Sequence, residues 1–451
     1  MHPNRFYPRL VNRLSRLGVG LLLLFLAACG GAPATPSAGS TPAPAAAATD
    51  DKAEITVWVD TTRLDGVKAY QQKHPDAKLK IVTVDRGQFP AKVLLFNNTN
   101  QGWPDVVFAE PNLVAQVADA AHHFPLDMND YVPQDVKKSF APGALDPCVF
   151  DGKLFCLRND LAHVVLWYNK KLMDEFGYKV PTTWEDYQAI GEQVAKDHPG
   201  YVVGAFGDPQ GMTAYFWSSR CPVHQVKENS TVLINLTDAK CTRAANLVDT
   251  LIANGAIAKL GPFDPAFVKL ATDNKILMMP AASWFGEYVF GGKPDSTYYK
   301  SAEGQLGIAM PLKWKDDDKI YTGAHGGAAW TVSNHTKNPK LAVDVALWMA
   351  TSDDYQGSAP TFPAYLPAAD KWKVTVASNK VYATDPFPVM KDSSGMIDPG
   401  WGNVRFDDFS AFETTVIAAV QKGETVASAL PEFQKQLTAL AEAQGYQVVE
   451  K

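Results

Sequence analysis

Several polar residues stand where an α/β protein holds its ligand. Asp60, Thr62 and Arg63 follow the apolar run Ile-Thr-Val-Trp-Val at 55–59, and Glu110 and Asn112 follow Val-Val-Phe-Ala at 106–109. Trp284 and Glu287 come shortly after Ile-Leu-Met-Met at 276–279. In open α/β sheets, ligands bind beyond the carboxyl ends of the strands. Carboxylates and a guanidinium offer paired acceptors and donors to hydroxyl groups, and an indole packs on the C–H face of a pyranose. That mixture suits a saccharide. The chain has 11 Trp, but Trp also fills cores. Trp58 lies mid-strand, and Trp184 and Trp348 lie on amphipathic helices, so these three are expected in the core. Trp284 after Ser283, Trp330 after Gly326-Gly327 and Trp401 between Gly400 and Gly402 have loop-like settings and are candidates for stacking. Some of these positions also have a purely structural alternative. Asp60 can cap a helix over 61–74, Glu110 before Pro111 can be an N-cap, and Asp105 can simply close its turn. His163, in an apolar run, is expected to be a core histidine.

Catalysis has less support. A glycoside hydrolase needs two carboxylates about 5–10 Å apart across the scissile bond, and Asp60 and Glu110 could be recruited to that role. No G-x-S-x-G elbow, H-E-x-x-H pair or phosphate loop occurs. Metal ligation is equally thin. No C-x-x-C spacing exists, Pro222 separates Cys221 from His224, and His122-His123 is expected at the surface. No cofactor and no metal are expected. A net charge of −6 argues against a nucleic-acid partner.

The elements that must position these residues read as an α/β alternation. A strand at 55–59, a helix over 64–74 and a strand over 78–84 form a βαβ unit, followed by a strand at 106–109. Asp151-Gly152 marks a hairpin between 148–150 and 153–156, and LAHVVLWY at 161–168 is a long buried strand. Thr182 or Thr183 caps a helix over 184–196, Thr237 caps one reaching 252, and a helix covers 338–350. The last part, 409–444, is helical with a break at Gly423. A chain of 451 residues exceeds what one hydrophobic core supports, so two lobes are expected.

The chain opens on a basic leader and LLLLFLAAC at 21–29, the marks of a secretory signal over 1–28. Leu-Ala-Ala-Cys resembles a bacterial lipobox, which implies lipidation of Cys29. The Pro/Ala/Ser-rich stretch 29–53 is then a disordered tether. No later apolar run is long enough to span a membrane. Outside the lipobox, four cysteines remain. Three pairings are open to them, and the local ones, Cys148–Cys156 and Cys221–Cys241, are favoured in an exported chain.

Six short stations, in order, carry a family resemblance. They are ITVW at 55–58, PDVVF at 104–108, YNKKL at 168–172, VPTTWEDY at 180–187, GGAAW at 326–330 and Asn338-Pro339. Together they resemble the extracellular solute-binding proteins of bacterial ABC importers, in the maltose-binding-protein-like branch, over about 54–445. The resemblance implies an α/β, two-lobed periplasmic-binding-protein fold with inter-lobe hinge strands and a ligand cleft. It implies lobe one at 54–160 plus 275–320 and lobe two at 161–274 plus 321–451, with crossings near 160–163, 270–275 and 321–326. It places Asp160 beside the cleft and sets Thr62, Arg63 and Trp284 at ligand-contacting stations. Thr62 stands where that branch carries a carboxylate and Ala109 where it has an aromatic, so maltose itself is not the expected ligand. The function implied is non-catalytic. The resemblance implies a monomeric receptor, lipid-anchored at the outer face of the cytoplasmic membrane or in the periplasm, that hands a sugar or oligosaccharide to a permease. The same fold could take a polyamine, iron or a polyol; for iron, Tyr298-Tyr299 is the one adjacent tyrosine pair.

Overall fold

The computed structural model describes residues 49–119, 122–227, 230–291 and 299–450. The signal peptide, Cys29 and most of the tether lie outside the described residues. The first sheet has five strands in the order Leu79–Thr83, Ile55–Val59, Val106–Ala109, Ala329–Val332, Leu157–Arg158. The first three run parallel, and Ala329–Val332 is antiparallel to both of its neighbours. The parallel strands are nearly continuous apolar runs because helices cover both faces. Leu64–Lys73 and Pro339–Thr351 are among those helices, and Asn338 caps the latter by accepting from the Leu341 amide.

Two hydrophobic cores form, and a three-stranded antiparallel sheet lies between them, ordered Met278–Ala282, Val164–Asn169, Leu306–Ala309. Successive side chains of a strand point to opposite faces. Val165 and Trp167 accordingly pack in the first core, and Val164, Leu166 and Tyr168 in the second. Met279 joins the first core and Met278 the second. The apolar run at 161–168 thus has no polar face because each face serves a different core. The second core is mainly helical, built around Trp184–Asp197, Ala239–Ala253 and Val426–Ala443.

The chain changes core between Ala162 and Val164. It returns earlier than expected, between Ile257 and Phe267, so the helix Pro265–Thr272 packs in the first core. The larger correction concerns the C-terminal part. The expected partition puts all of 321–451 in lobe two, yet residues 328–390 pack in the first core. Ala329–Val332 is buried on both faces and hydrogen-bonds to Val106–Ala109, which pulls the following helices over the first sheet. Only from Trp401 onward does the chain rejoin the second core.

Local signals mostly behave as expected. Thr183 accepts from the Asp186 amide at 3.1 Å and starts its helix. Asp238, not Thr237, caps the helix Ala239–Ala253. The disulfides Cys148–Cys156 and Cys221–Cys241 both form. Among the described residues no helix is long and apolar enough to cross a membrane, and no group of three or more His, Cys, Asp or Glu is placed to hold a metal.

Candidate functional site

The carboxyl ends of the parallel strands gather a charged cluster. Arg63 is buried and pairs with Asp60 at 3.3 Å and Asp160 at 3.9 Å, while its guanidinium also donates to the Tyr288 hydroxyl at 3.2 Å. It lies over the Phe108 ring at 4.8 Å. Arg86 pairs with Glu110 at 2.8 Å and approaches Asp60 at 3.9 Å. The Asp60 carboxylate also accepts from the Arg63 amide at 2.9 Å, which holds the turn ahead of the helix Leu64–Lys73, while Arg63 itself is the helix N-cap. Glu110 does not cap its helix, because its side chain turns to Arg86 instead. Asp105 ties its turn to the first strand by accepting from the Thr56 amide at 2.7 Å.

Asp60, Arg63, Glu110 and Asp160 are thus brought together, with Thr62 exposed and Asn112 half-buried at the same end of the sheet. The other candidates scatter. Trp330 is fully buried on its strand, beside Phe108, and donates to Asn159; it is a core residue, because Gly326-Gly327 ends the loop before the strand begins. Glu287, next to Tyr288 in the chain, accepts from Tyr382 at 2.7 Å and Asn379 at 3.2 Å. Trp284 is half-buried, donates to the His325 carbonyl at 2.8 Å and lies parallel to Phe263 at 6.2 Å. Tyr298 lies outside the described residues, and buried Tyr299 donates its hydroxyl to the Pro262 carbonyl at 2.6 Å.

Trp401 lines the main cavity. This space of about 650 Å³ lies between the two cores. Phe155, Arg158 and Leu161 line it from the first core side and Trp217, Trp401, Arg405 and Tyr446 from the second. Its volume falls in the range of small-molecule sites. Trp401 stacks on Trp217 with centroids 4.9 Å apart and 8° between planes, and donates to the Cys221 carbonyl at 2.6 Å. Behind it, buried His224 contacts Asp408 at 2.9 Å.

Arg158 connects this cavity to the crossing. It is buried and donates twice to the Asp160 carbonyl and once to that of Leu161, at 3.0–3.1 Å. Burial lowers its pKa to about 10, with Asp160 and Glu110 opposing that shift. Two histidines sit at the crossing, where His163 bridges to Ala324. Burial lowers His163 to about 3 and His325 to about 4, so both are neutral. His163 is the core histidine expected from its apolar neighbours.

Sequence reasoning missed Arg86, Arg158, Trp217, Phe150, Phe155 and Arg405. The strand-end rule finds Arg86, three residues past the end of Leu79–Thr83. The others come from segments that only the tertiary fold brings together.

The whole chain can now be compared with known proteins. A family model described as bacterial extracellular solute-binding protein matches residues 53–356. The arabinooligosaccharide-binding protein of Halalkalibacterium halodurans is 23% identical over 333 residues, covering 71% of this chain and 70% of its own. The maltodextrin-binding protein MdxE of Bacillus subtilis is 22% identical over 366 residues, covering 72% and 73%. Among solved structures, the galacto-N-biose/lacto-N-biose I-binding protein of Bifidobacterium longum, in complex with lacto-N-biose, superposes with a TM-score of 0.72 at 19% identity, covering 88% of this chain and 99% of its own. The GacH receptor of Streptomyces glaucescens gives 0.68 at 18%, covering 87% and 99%. These likenesses establish the two-lobed binding-protein fold.

Proposed function

The chain belongs to the bacterial extracellular solute-binding protein family, and from that premise we propose that it captures an oligosaccharide between its two lobes and delivers it to an ABC importer permease. The observation that carries this reading is the cavity between the cores, with stacked indoles on one wall and hydrogen-bonding groups around them. Its wall carries Asp146, Asp151 and Asp398 against Lys153, Arg158, Lys227 and Arg405, a near balance that suits an uncharged, hydroxyl-rich ligand. A polyamine would call for an excess of acids. The two relatives named for binding an arabinooligosaccharide and a maltodextrin point the same way.

In this reading the two cores are the interiors of the two lobes, and the sheet between them holds the hinge strands, the usual arrangement for closure around ligand. Lys153, Arg158 and Arg405 supply polar contacts in the cavity and Trp401 a stacking face, while Asp60, Thr62, Arg86, Glu110, Asn112 and Asp160 do not line it and form a polar cluster at the strand ends. Arg63, with its partners already on the protein, positions Asp60 and Asp160. A hydrolase would need a free acid and base, whereas Asp60 and Glu110 are each paired to arginine. The protein acts as a receptor without turnover, as a monomer. Cys29 is its lipid anchor and the tether lets it range near the membrane, which raises its effective concentration at the permease.

Calorimetric titration of the purified protein with arabino-oligosaccharides and maltodextrins tests the reading, together with mass spectrometry of solute carried through purification. Binding by at least one series, weakened about tenfold in Trp401→Ala through lost stacking, is expected. Saccharides that leave both heat and melting temperature unchanged refute it. Cys29→Ser should release the protein from the membrane fraction without changing affinity.

A further inference from the structure

One wall of the cavity is a hairpin closed by a disulfide. The strands Val149–Phe150 and Lys153–Leu154 form a hairpin whose turn residues, Asp151 at φ 51° and Gly152 at φ 75°, are both left-handed, as a tight two-residue hairpin turn requires. The Cys148–Cys156 disulfide closes its base. Three further bonds hold it to the segment at 127–129. The Leu154 amide donates to Asp127 at 3.2 Å, the Leu154 carbonyl accepts from the Met128 amide at 2.8 Å, and Asn129 donates to the Gly152 carbonyl at 2.8 Å. A hairpin fixed at its base and along one edge is a rigid wall rather than a mobile flap.

That wall meets the opposite core. Asn403, between Trp401 and Val404 of the second core, donates its side-chain amide to the Pro147 carbonyl at 2.6 Å, next to Cys148 of the first core. Gly402 allows the closest approach beside it, since a Cβ there would meet Val226 at 2.6 Å. Pro147, Phe150, Lys153, Val226 and Asn403 all line the cavity. The space is therefore lined both by the crossing segments at Leu161 and Ala324 and by the hairpin, and the hydrogen bond from Asn403 to Pro147 links the two cores beside that wall.

We propose that the disulfide-closed hairpin at 148–156, held to Asn403, is the stop that sets how long a saccharide the cavity accepts. The inference rests on the oligosaccharide reading above and adds the residues that decide chain length. Phe150 presents an aromatic face to the last sugar unit, and Lys153 donates to its hydroxyls. A longer ligand would have to break the Asn403–Pro147 bond or displace a wall that the disulfide holds.

The test is calorimetric titration of the intact protein with arabino-oligosaccharides and maltodextrins of increasing length. In the wild type, affinity should rise with length and then stop rising or fall. Phe150→Ala with Lys153→Ala removes the tip side chains and should raise the affinity for the first excluded length about tenfold, while weakening the longest accepted one. Asn403→Ala leaves the hairpin intact and should shift the ceiling the same way, and Cys148→Ser with Cys156→Ser should blur it. Melting curves report whether each variant is folded. Saccharide binding with the same length profile in the wild type, the tip variant and Asn403→Ala overturns the hairpin's role and leaves the oligosaccharide reading standing. No binding by any saccharide overturns both.

Discussion

Gly326 and Gly327 allow a comparison that isolates how rigid the crossing is. Both have left-handed backbones, at φ 79° and 75°. Alanine at either position costs about 1–2 kcal/mol for placing a Cβ in that region. Their surroundings differ. A Cβ at Gly326 finds only Trp284 Nε1 at 3.5 Å, an ordinary contact. A Cβ at Gly327 would meet Arg158 Nη2 at 2.3 Å and the carbonyl oxygens of Asp160 and Leu161 at 2.9 Å. Those are the carbonyls that Arg158 clamps, so the arginine cannot move aside without surrendering its bonds. Overpacking of this kind costs about 1–3 kcal/mol. Gly326→Ala should therefore lose about 1–2 kcal/mol and Gly327→Ala about 2–5 kcal/mol in urea unfolding monitored by tryptophan fluorescence. Gly327→Ala should also weaken ligand, because a displaced Arg158 intrudes on the cavity it lines. Equal losses in the two variants would refute the reasoning, since Arg158 would then yield freely and the clamp at the crossing would not be rigid.

Acid should destabilise the fold before its carboxylates are protonated. His163 and His325 have folded pKa values of about 3 and about 4, below the ~6.5 of an unfolded histidine. Their contribution is fully present above ~6.5 and is lost as pH falls toward those folded values, about 2 kcal/mol each by pH 5. Asp208, which burial raises to about 6, opposes part of this loss; His163→Gln should flatten the pH dependence of the urea midpoint, and an unchanged slope would contradict the assignment. Cys221→Ser with Cys241→Ser opens a link spanning 20 residues and should cost about 2–4 kcal/mol, read as a lower urea midpoint; a stability equal to that of the wild type would mean the link adds nothing. Ala162 holds a left-handed backbone at φ 52° where the chain changes core. Ala162→Gly removes a strain of about 1–2 kcal/mol and adds unfolded-state entropy worth about 0.4–1 kcal/mol, so stability should stay level or rise by up to about 1.6 kcal/mol. A loss would mean the Ala162 methyl is needed for packing.

Much of the chain was legible because local chemistry and tertiary structure agree. The βαβ unit at 55–83, the Thr183 cap and the Asp151-Gly152 turn each follow from a few adjacent residues, and the structure holds all three. The family was legible for a different reason: six weak stations gain force from their order along the chain. Misreadings cluster where a local signal served another purpose. Gly-Gly before Trp330 signals a loop, but the loop is the crossing turn, and Trp330 already belongs to the strand beyond it. Pro111 does start a helix, yet what happens to the Glu110 side chain depends on Arg86, 24 residues earlier in the sequence and beside it in space.

The lobe partition failed for a reason built into the fold. A strand buried on both faces loses the alternation that would reveal a face, and Val164–Asn169 loses it because its two faces serve two cores. Ala329–Val332 is just as apolar but lies wholly in the first core. The two runs look alike in sequence, and only strand pairing separates them: Val164–Asn169 pairs with Met278–Ala282 and Leu306–Ala309, whereas Ala329–Val332 pairs with Val106–Ala109. The cavity follows from the same geometry. Because the chain passes between the cores several times, the walls come from segments as distant as Phe150 and Tyr446. A rule that looks only past strand ends finds Asp60 and Glu110 but cannot find the aromatic wall, which rests on turns held by two disulfides. Cys148–Cys156 fixes the hairpin on the first core, and Cys221–Cys241 fixes the segment whose carbonyl holds Trp401 on the second. The four cysteines, visible in the sequence as two local pairs, therefore anchor the two sides of the cavity, whereas the acids at the strand ends do not line it.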